Sequence, residues 1–154
     1  RPACDMLAHM PEYHLRPATP ADWPAITALL TQYDLPLAGA ENHLLNFVVA
    51  TADIGEVIGV AGLEVYGQVG LLRSVAVSQP GKGLGRQLVS AIETQARRQH
   101  IQQLILLTTT AERFFTQMGW QVIARSDTPN EVLQSVEFTS ACPSSAIVMQ
   151  YHLH

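Results

Sequence analysis

The longest regular pattern in the chain is an apolar run followed by glycines and then by a helical stripe. Residues 71–77 are almost all apolar or β-branched, which is typical of a strand buried on both faces. Serine, proline and glycine at 78–81 end that strand. Beyond Gly83, apolar side chains recur at every fourth position, at Leu84, Leu88, Ile92 and Ala96. This spacing predicts an amphipathic helix that begins directly after the glycines.

Shorter patterns on both sides predict the remaining elements. Before this unit they predict a strand at 13–16, a helix from Thr19 to about Tyr33, a short helix at 41–45, and a hairpin of strands 47–52 and 57–65. After it they predict a strand at 103–108, a short helix at 111–118, a strand at 120–125, a polar turn at 126–131 and a last strand at 147–153. The alternation of helix and strand after the central strand indicates a parallel crossover. The prediction is a single α+β domain at 10–154, a central mixed sheet flanked by helices.

The first nine residues show no periodicity. His9 and Met10 resemble a cloning-site scar before a natural initiator, so we interpret residues 1–9 as a tag or linker remnant. Cys4 then has no functional role.

Composition narrows the function classes. A chain of 154 residues that is 47% hydrophobic and 14% charged is typical of one globular domain. A net charge of −4 argues against a nucleic-acid partner, and no apolar run reaches membrane-spanning length. Two cysteines make neither a disulfide framework nor a zinc site. We therefore expect a cytoplasmic protein without a metal.

The glycine loop is the first candidate for chemistry. Backbone N–H groups at a helix start, with the positive end of the helix dipole behind them, form an anion site that suits phosphate. Gly81, Gly83 and Gly85 allow the backbone to approach a ligand closely. The Lys-Ser/Thr pair of a P-loop is missing, and a dinucleotide fold would place its glycines at the start of the chain. A tight βα turn without a ligand is the alternative interpretation.

Together, three features resemble the GNAT superfamily of acyl-CoA-dependent N-acyltransferases. They are the order of elements, the glycine loop after the fourth strand, and the unit Phe114-Phe115-Thr116-Gln117-Met118-Gly119-Trp120 after a buried strand. Four segments further resemble the arsenic-resistance N-acetyltransferase subgroup: GLEVYG (62–67), LLRSVAV (71–77), LLTTTAERFF (106–115) and EFTSACPSSA (137–146).

This resemblance implies acetyl-CoA as cosubstrate and identifies the residues expected to hold it. Pantetheine would lie along the fourth strand and pair with the backbone of Val75 and Val77, and Phe114 would touch its arm. The pyrophosphate would lie on the loop amides, contributed by Gly81, Lys82, Gly83, Leu84, Gly85 and Arg86. Lys82 adds a point cation near the phosphates. Pro80 stands where the family usually has Arg or Gln.

The resemblance also implies direct attack of an amine on the thioester, which needs a base, an oxyanion donor and a proton for the thiolate. Glu64 is the candidate base, and burial in an apolar strand is expected to raise its pKa; a structural or solvent-facing Glu64 is the alternative. The Val75 or Ala76 amide is the expected oxyanion donor. Phe115 replaces the family's usual tyrosine acid, so Tyr66, a threonine of 108–110 or solvent would serve; departure of the thiolate without a dedicated acid is the alternative.

Three further residues are candidates at the acceptor side. Arg73, a charge inside an apolar strand, would clamp the carboxylate or oxyanion of an amino-acid substrate, or form an ion pair with Glu64 or another buried acid. His43 is a candidate substrate contact or else a surface histidine. Cys142 is interpreted as a small buried hydrophobe, with a thiolate for a trivalent arsenical as the alternative.

The sequence therefore predicts an acetyl-CoA-dependent N-acetyltransferase for a small zwitterionic amine, with an arsenic- or phosphorus-containing amino acid of glutamate type as the finer hypothesis. Another amino acid, a polyamine or an antibiotic amine is the alternative acceptor. A non-catalytic acyl-CoA sensor and a metalloid-binding protein are the alternatives from other classes. The resemblance to the superfamily further implies a homodimer, for which the last strand is a candidate contact.

Overall fold

In the part of the chain that the structure describes, seven strands form one mixed sheet in the order β1-β2-β3-β4-β5-β7-β6. The computed structural model describes residues 13–153, and the predicted remnant at 1–9, with Cys4, lies outside them. The strands are β1 (His14–Pro17), β2 (Val48–Thr51), β3 (Val57–Tyr66), β4 (Val69–Val77), β5 (Gln103–Thr108), β6 (Gln121–Ile123) and β7 (Ile147–His152). The α-helices are α1 (Trp23–Gln32), α2 (Leu84–Arg98) and α3 (Glu112–Gln117).

Strand pairing confirms the predicted α+β fold with its hairpin and its crossover. Strands β1 to β4 pair antiparallel in sequence order. Strand β4 pairs parallel with β5, and the helix α2 connects the two. Strand β7 pairs antiparallel with both β5 and β6. Because both edges of β7 are paired within the sheet, a dimer contact at the last strand would use its side chains rather than its backbone edge, and the homodimer stays a prediction.

Several short helical turns differ from the expectation. The helix predicted at 41–45 is a 3-10 helix (Glu41–Asn46), and 3-10 turns also form at Pro20–Asp22, Arg125–Asp127 and Asn130–Gln134. A π-helix, Glu137–Ala141, follows where the sequence predicted only a turn and a loop. Segments of one turn are too short to show a 3.6-residue period, so hydrophobic spacing cannot detect them.

The hydrophobic core lies on both faces of the sheet. On one face the predicted stripe of α2 is confirmed, since its four apolar side chains are at most 1% exposed and pack on Leu63, Leu72 and Leu104. On the other face α1 covers Phe47 and Val60, while Val132 of the 3-10 turn covers Leu71 and Ile105. In the described part of the chain, no helix combines the length and the apolar character that crossing a bilayer would require.

Candidate functional site

A cavity opens where the two parallel strands of the sheet diverge. Strands β4 and β5 pair at three positions, and the last pair is Leu71 with Ile105. Beyond it lies a cavity of about 570 Å³. Its walls come from β4 (72–77), the end of β5 and the turn after it (106–111), the loop after α1 (33–36), and four residues before β7: Glu137, Cys142, Pro143 and Ala146.

A β-bulge sets the direction of the β4 backbone at this cavity. Val60 pairs with Ala76 but Gly62 pairs with Arg73, so β4 has one extra residue between these pairs. Ser74 lies in the bulge with φ +62°, a left-handed conformation that is uncommon outside glycine.

The backbone beyond the bulge turns peptide groups of β4 toward the cavity. The Ser78 N–H donates to the Ile58 carbonyl at 2.8 Å, so residues 76 and 78 face β3. Since strand peptides alternate in direction, those of Val75 and Val77 face the gap between β4 and β5. The Tyr33 hydroxyl donates to the Val77 carbonyl from that side, at 2.6 Å. An extended ligand can pair with this edge as an added strand.

The glycine loop lies between β4 and the start of α2, next to the Pro80 end of the cavity. Gly81 and Gly83 have φ values of +86° and +78°, and Gly83 is the N-cap of α2. A Cβ added at either would meet no heavy atom within 4 Å, so the space outside the loop is open to a ligand. Lys82 and Arg86 are exposed beside it.

Two of the predicted cofactor residues are placed differently from the others. The Leu84 side chain is 1% exposed in the core, so only its backbone is available to a ligand. Phe114 packs against Gly85 and against the Phe115 ring, and it is Phe115 that lines the cavity.

The Arg73 guanidinium is fully buried and surrounded by acceptors. Its Nη1 donates to Glu64 Oε2 and to the Ala38 carbonyl, both at 2.8 Å. Its Nη2 donates to the Pro36 carbonyl at 2.9 Å and lies 3.4 Å from Glu137 Oε2, while Nε donates to Ser74 Oγ at 3.0 Å. The ion-pair alternative for Arg73 is therefore confirmed. Because each guanidinium nitrogen has a partner, Arg73 ties the loop after α1 to β4 and to the π-helix.

Glu64 is fully buried, and several polar side chains surround its carboxylate. Besides the Arg73 bond, Tyr66 Oη donates to Glu64 Oε1, and His43 Nε2 lies 3.8 Å from the same oxygen. Burial raises the pKa of Glu64, but Ser135, Tyr66 and Arg73 stabilise the charged form and the net shift is downward. The expected rise in the pKa of Glu64 is thus wrong, because the sequence did not show these donors.

Glu137 is a buried carboxylate that lines the cavity. It is 5% exposed, and its Oε1 accepts a hydrogen bond from the Cys142 thiol at 3.3 Å. Burial raises the pKa of Glu137, and the nearby Glu64 carboxylate adds to this, against the lowering effects of Arg73 and Cys142. Burial and Glu137 likewise raise the pKa of Cys142 to about 12, so Cys142 is a thiol at neutral pH.

His43 and Tyr66 lie on the outer side of this cluster. The two rings contact each other edge to face, with centroids 6.2 Å apart. Within residues 13–153, no group of three or more His, Cys, Asp or Glu side chains is arranged to hold a metal ion.

Sequence reasoning missed Glu137, Ser135 and the two loop carbonyls that bind Arg73. Glu137 precedes Cys142 by five residues in a segment without periodicity, and its position depends on the π-turn bond from the Cys142 N–H to the Glu137 carbonyl, 3.2 Å long. The one available signal was an isolated acid in a weakly charged segment before the last strand.

The sheet order, the diverging β4 and β5 and the glycine loop at α2 define the acyl-CoA N-acyltransferase fold. Residues 43–122 match the acetyltransferase (GNAT) domain. The chain belongs to the GNAT acetyltransferase family.

Three relatives illustrate what the chain is similar to. An amino-acid acetyltransferase of Ralstonia nicotianae is 31% identical over 137 residues, which are 82% of this chain and 30% of that protein. The N-acetylglutamate synthase of Neisseria gonorrhoeae, complexed with coenzyme A and N-acetyl-glutamate, superposes with a TM-score of 0.78 at 25% identity, over 93% of this chain and 35% of that one. The Mycobacterium tuberculosis protein Rv2747, in complex with CoA, gives a TM-score of 0.77 at 25% identity, over 92% of this chain and 99% of that one. The chain thus spans about a third of the first two relatives.

Proposed function

We propose that this protein transfers the acetyl group of acetyl-CoA to the amine of a small, amino-acid-like molecule. The observation that carries the proposal is the β4 edge beyond its pairing with β5: the peptide groups of Val75 and Val77 face a cavity with the glycine loop near one end and a buried carboxylate in its wall. Family membership and the relatives complexed with coenzyme A support the same conclusion.

The residues of this chain fit acetyl-CoA in two places. The open space above Gly81 and Gly83 admits a pyrophosphate close to the amides at the start of α2, with Lys82 and Arg86 exposed beside it. The β4 edge at Val75 and Val77 suits the amide groups of pantetheine. Of the two expected oxyanion donors, the Ala76 peptide faces β3, so the Val75 amide remains our candidate donor to the thioester oxygen.

The acceptor side of the cavity favours a cationic group. Among the described residues that line the cavity, the charged ones are Asp34, Arg73 and Glu137. Arg73 already has a partner at each nitrogen, so a substrate carboxylate would have to displace one of them. The carboxylates of Asp34 and Glu137 are suited to the ammonium group of an amino acid instead.

The names of two relatives support an amino-acid acceptor, since one is an amino-acid acetyltransferase and the other contains N-acetyl-glutamate. An arsenic- or phosphorus-containing analogue of glutamate is the finer form of the proposal, and it rests on the four sequence segments that resemble the arsenic-resistance subgroup. The amino acid and its arsenic- or phosphorus-containing analogue would present the same ammonium group to the cavity. They differ in the group at the other end of the side chain.

The test is release of CoA thiol from acetyl-CoA with arsinothricin, phosphinothricin, glutamate and spermidine, each compared with a reaction lacking amine. Turnover of glutamate-like acceptors over spermidine supports the proposal. Turnover of spermidine alone contradicts the amino-acid acceptor. Tight binding of acetyl-CoA without turnover of any amine contradicts the proposed transfer and supports the acyl-CoA sensor.

A further inference from the structure

Two carboxylates share the Arg73 guanidinium, and their surroundings are unequal. Glu64 has a 2.8 Å bond to Nη1 and a hydrogen bond from the Tyr66 hydroxyl. Glu137 has a longer ion pair with Nη2, at 3.4 Å, and accepts from the weak thiol donor of Cys142. When the environments of two neighbouring acids move their pKa values apart, the two acids usually have different roles.

Access to the cavity separates the two carboxylates as well. Glu64 is completely buried in β3 and lies outside the cavity lining, whereas Arg73, which donates to Glu64 Oε2, belongs to that lining. Glu137 contributes to the cavity wall, together with Arg73 and the β4 residues Val75 and Val77. Glu137 belongs to a π-helix. This conformation is rare in proteins, and where it occurs it is often at a functional site.

We propose that Glu137 binds the acceptor's ammonium group and removes its proton, while Glu64 is a positioning residue that holds Arg73. This inference rests on the proposed acetyl transfer and deepens it, because it replaces Glu64 as the group that would touch substrate. The raised pKa of Glu137 suits a proton acceptor, whereas the lowered pKa of Glu64 suits a permanent anion.

The proton and electron balance is simple. The ionised Glu137 carboxylate accepts one proton from the ammonium group, which leaves a neutral amine. The amine lone pair forms the new C–N bond with the acetyl carbon, and the C–S bond breaks as its electron pair leaves with sulfur. The second nitrogen proton ends on the thiolate, giving CoA thiol, and Glu137 releases its proton to solvent.

Several charged or titratable groups face Glu137. Arg73 of β4 lies beside it, Cys142 follows it along the chain, and Glu64 of β3 is its like-charged neighbour across Arg73. Asp34 belongs to the same cavity from the loop after α1. Removal of Glu137 therefore leaves Asp34 as the acid of the cavity wall, and the test must measure proton transfer rather than charge alone.

The experiment compares kcat and KM across pH for the wild type, Glu137→Gln and Glu131→Gln, with the most active amine of the panel. Glu131 is exposed in the preceding 3-10 turn, so its variant is a matched control and should behave as the wild type. Glu137→Gln should lose about 100-fold in kcat near neutral pH. Its rate should then rise steadily with pH, since only amine that is already neutral in solution can react. Its affinity for acetyl-CoA, measured by calorimetry, should not change.

Glu137→Asp is a second test should Glu137→Gln fail to fold. Its shorter side chain still titrates but lies farther from the amine. We therefore expect a lower kcat that still falls at acidic pH, as in the wild type. Wild-type kcat and pH profile in Glu137→Gln or in Glu137→Asp would overturn the assignment and leave acetyl transfer intact. An inactive wild type that binds acetyl-CoA would overturn the proposed function and the assignment together.

Discussion

Arg73 and Glu64 form an ion pair on one face of the central hairpin, with Nη1 and Oε2 2.8 Å apart and both side chains at most 1% exposed. Glu64 pairs across the ladder with Leu71, so Arg73 lies diagonally opposite, two residues further along β4. The same guanidinium binds the carbonyls of Pro36 and Ala38. The ion pair therefore anchors the loop that forms one wall of the cavity.

Arg73→Met should lower the free energy of unfolding by about 3–5 kcal/mol, because it leaves the Glu64 carboxylate buried without its cation. Urea denaturation at pH 7 measures this loss. The double variant Glu64→Gln/Arg73→Met should lose less than the sum of the single variants, since no unpaired charge then remains at position 64.

Arg113→Met is the matched control, because Arg113 is exposed on α3. Its effect on stability should be within about 0.5 kcal/mol. Equal losses in the Arg73 and Arg113 variants would show that the buried ion pair does not stabilise the fold.

Glu93→Gln should stabilise the protein at neutral pH. Glu93 is 7% exposed on α2, and burial raises its pKa despite the lowering effects of Trp120 and Arg97. A carboxyl with a raised folded pKa favours folding below its ordinary pKa of 4.5 and loses that contribution as pH rises through the folded value. The advantage of Glu93→Gln should therefore be largest near pH 8 and shrink towards pH 4, as urea denaturation at several pH values can measure.

Exposed Glu112 provides the comparison for Glu93, since Glu112→Gln removes the same charge outside the core. Its stability difference from the wild type should vary little with pH. If Glu93→Gln and Glu112→Gln followed the same curve, the buried carboxyl would not be the cause.

Much of the fold could be predicted from the sequence because it depends on local repetition. The α2 stripe at every fourth residue and the apolar run of β4 each appear in one window of the sequence, and the structure has both. The helix α2 connects β4 to β5, and a connection of this kind favours parallel pairing of the two strands.

The candidate site was less predictable because its properties come from distant segments. The direction of the Glu64 pKa shift depends on Ser135 and Arg73, which reach it from the π-helix region and from β4. Pro36 and Ala38 bind Arg73 through backbone carbonyls, which any residue type would supply. Residue types could therefore identify Arg73 and Glu64 as unusual, but not which acid lines the cavity.

Gly81→Ala should weaken acetyl-CoA binding, whereas Gly55→Ala should not. The two glycines have φ values of +86° and +87°, and a Cβ at either meets no protein atom within 4 Å. Each substitution should thus cost about 1 kcal/mol of stability from the same backbone strain. Only Gly81 lies in the proposed phosphate loop, where a loss of about 1.4 kcal/mol raises the Kd for acetyl-CoA about tenfold. Calorimetric titration measures it, and equal affinities would contradict a phosphate site at this loop.

Cys142 should react slowly with iodoacetamide at pH 8, and faster once Glu137 is replaced by glutamine. Burial and the Glu137 carboxylate raise the pKa of the thiol to about 12, so little thiolate is present to react. Glu137→Gln removes the negative charge, which should lower the pKa and increase the alkylation rate. A Cys4→Ser background makes Cys142 the sole thiol, and free cysteine calibrates the reagent. Wild-type Cys142 reacting as fast as free cysteine would show that Glu137 does not face the thiol, and would remove one support for its place in the cavity wall.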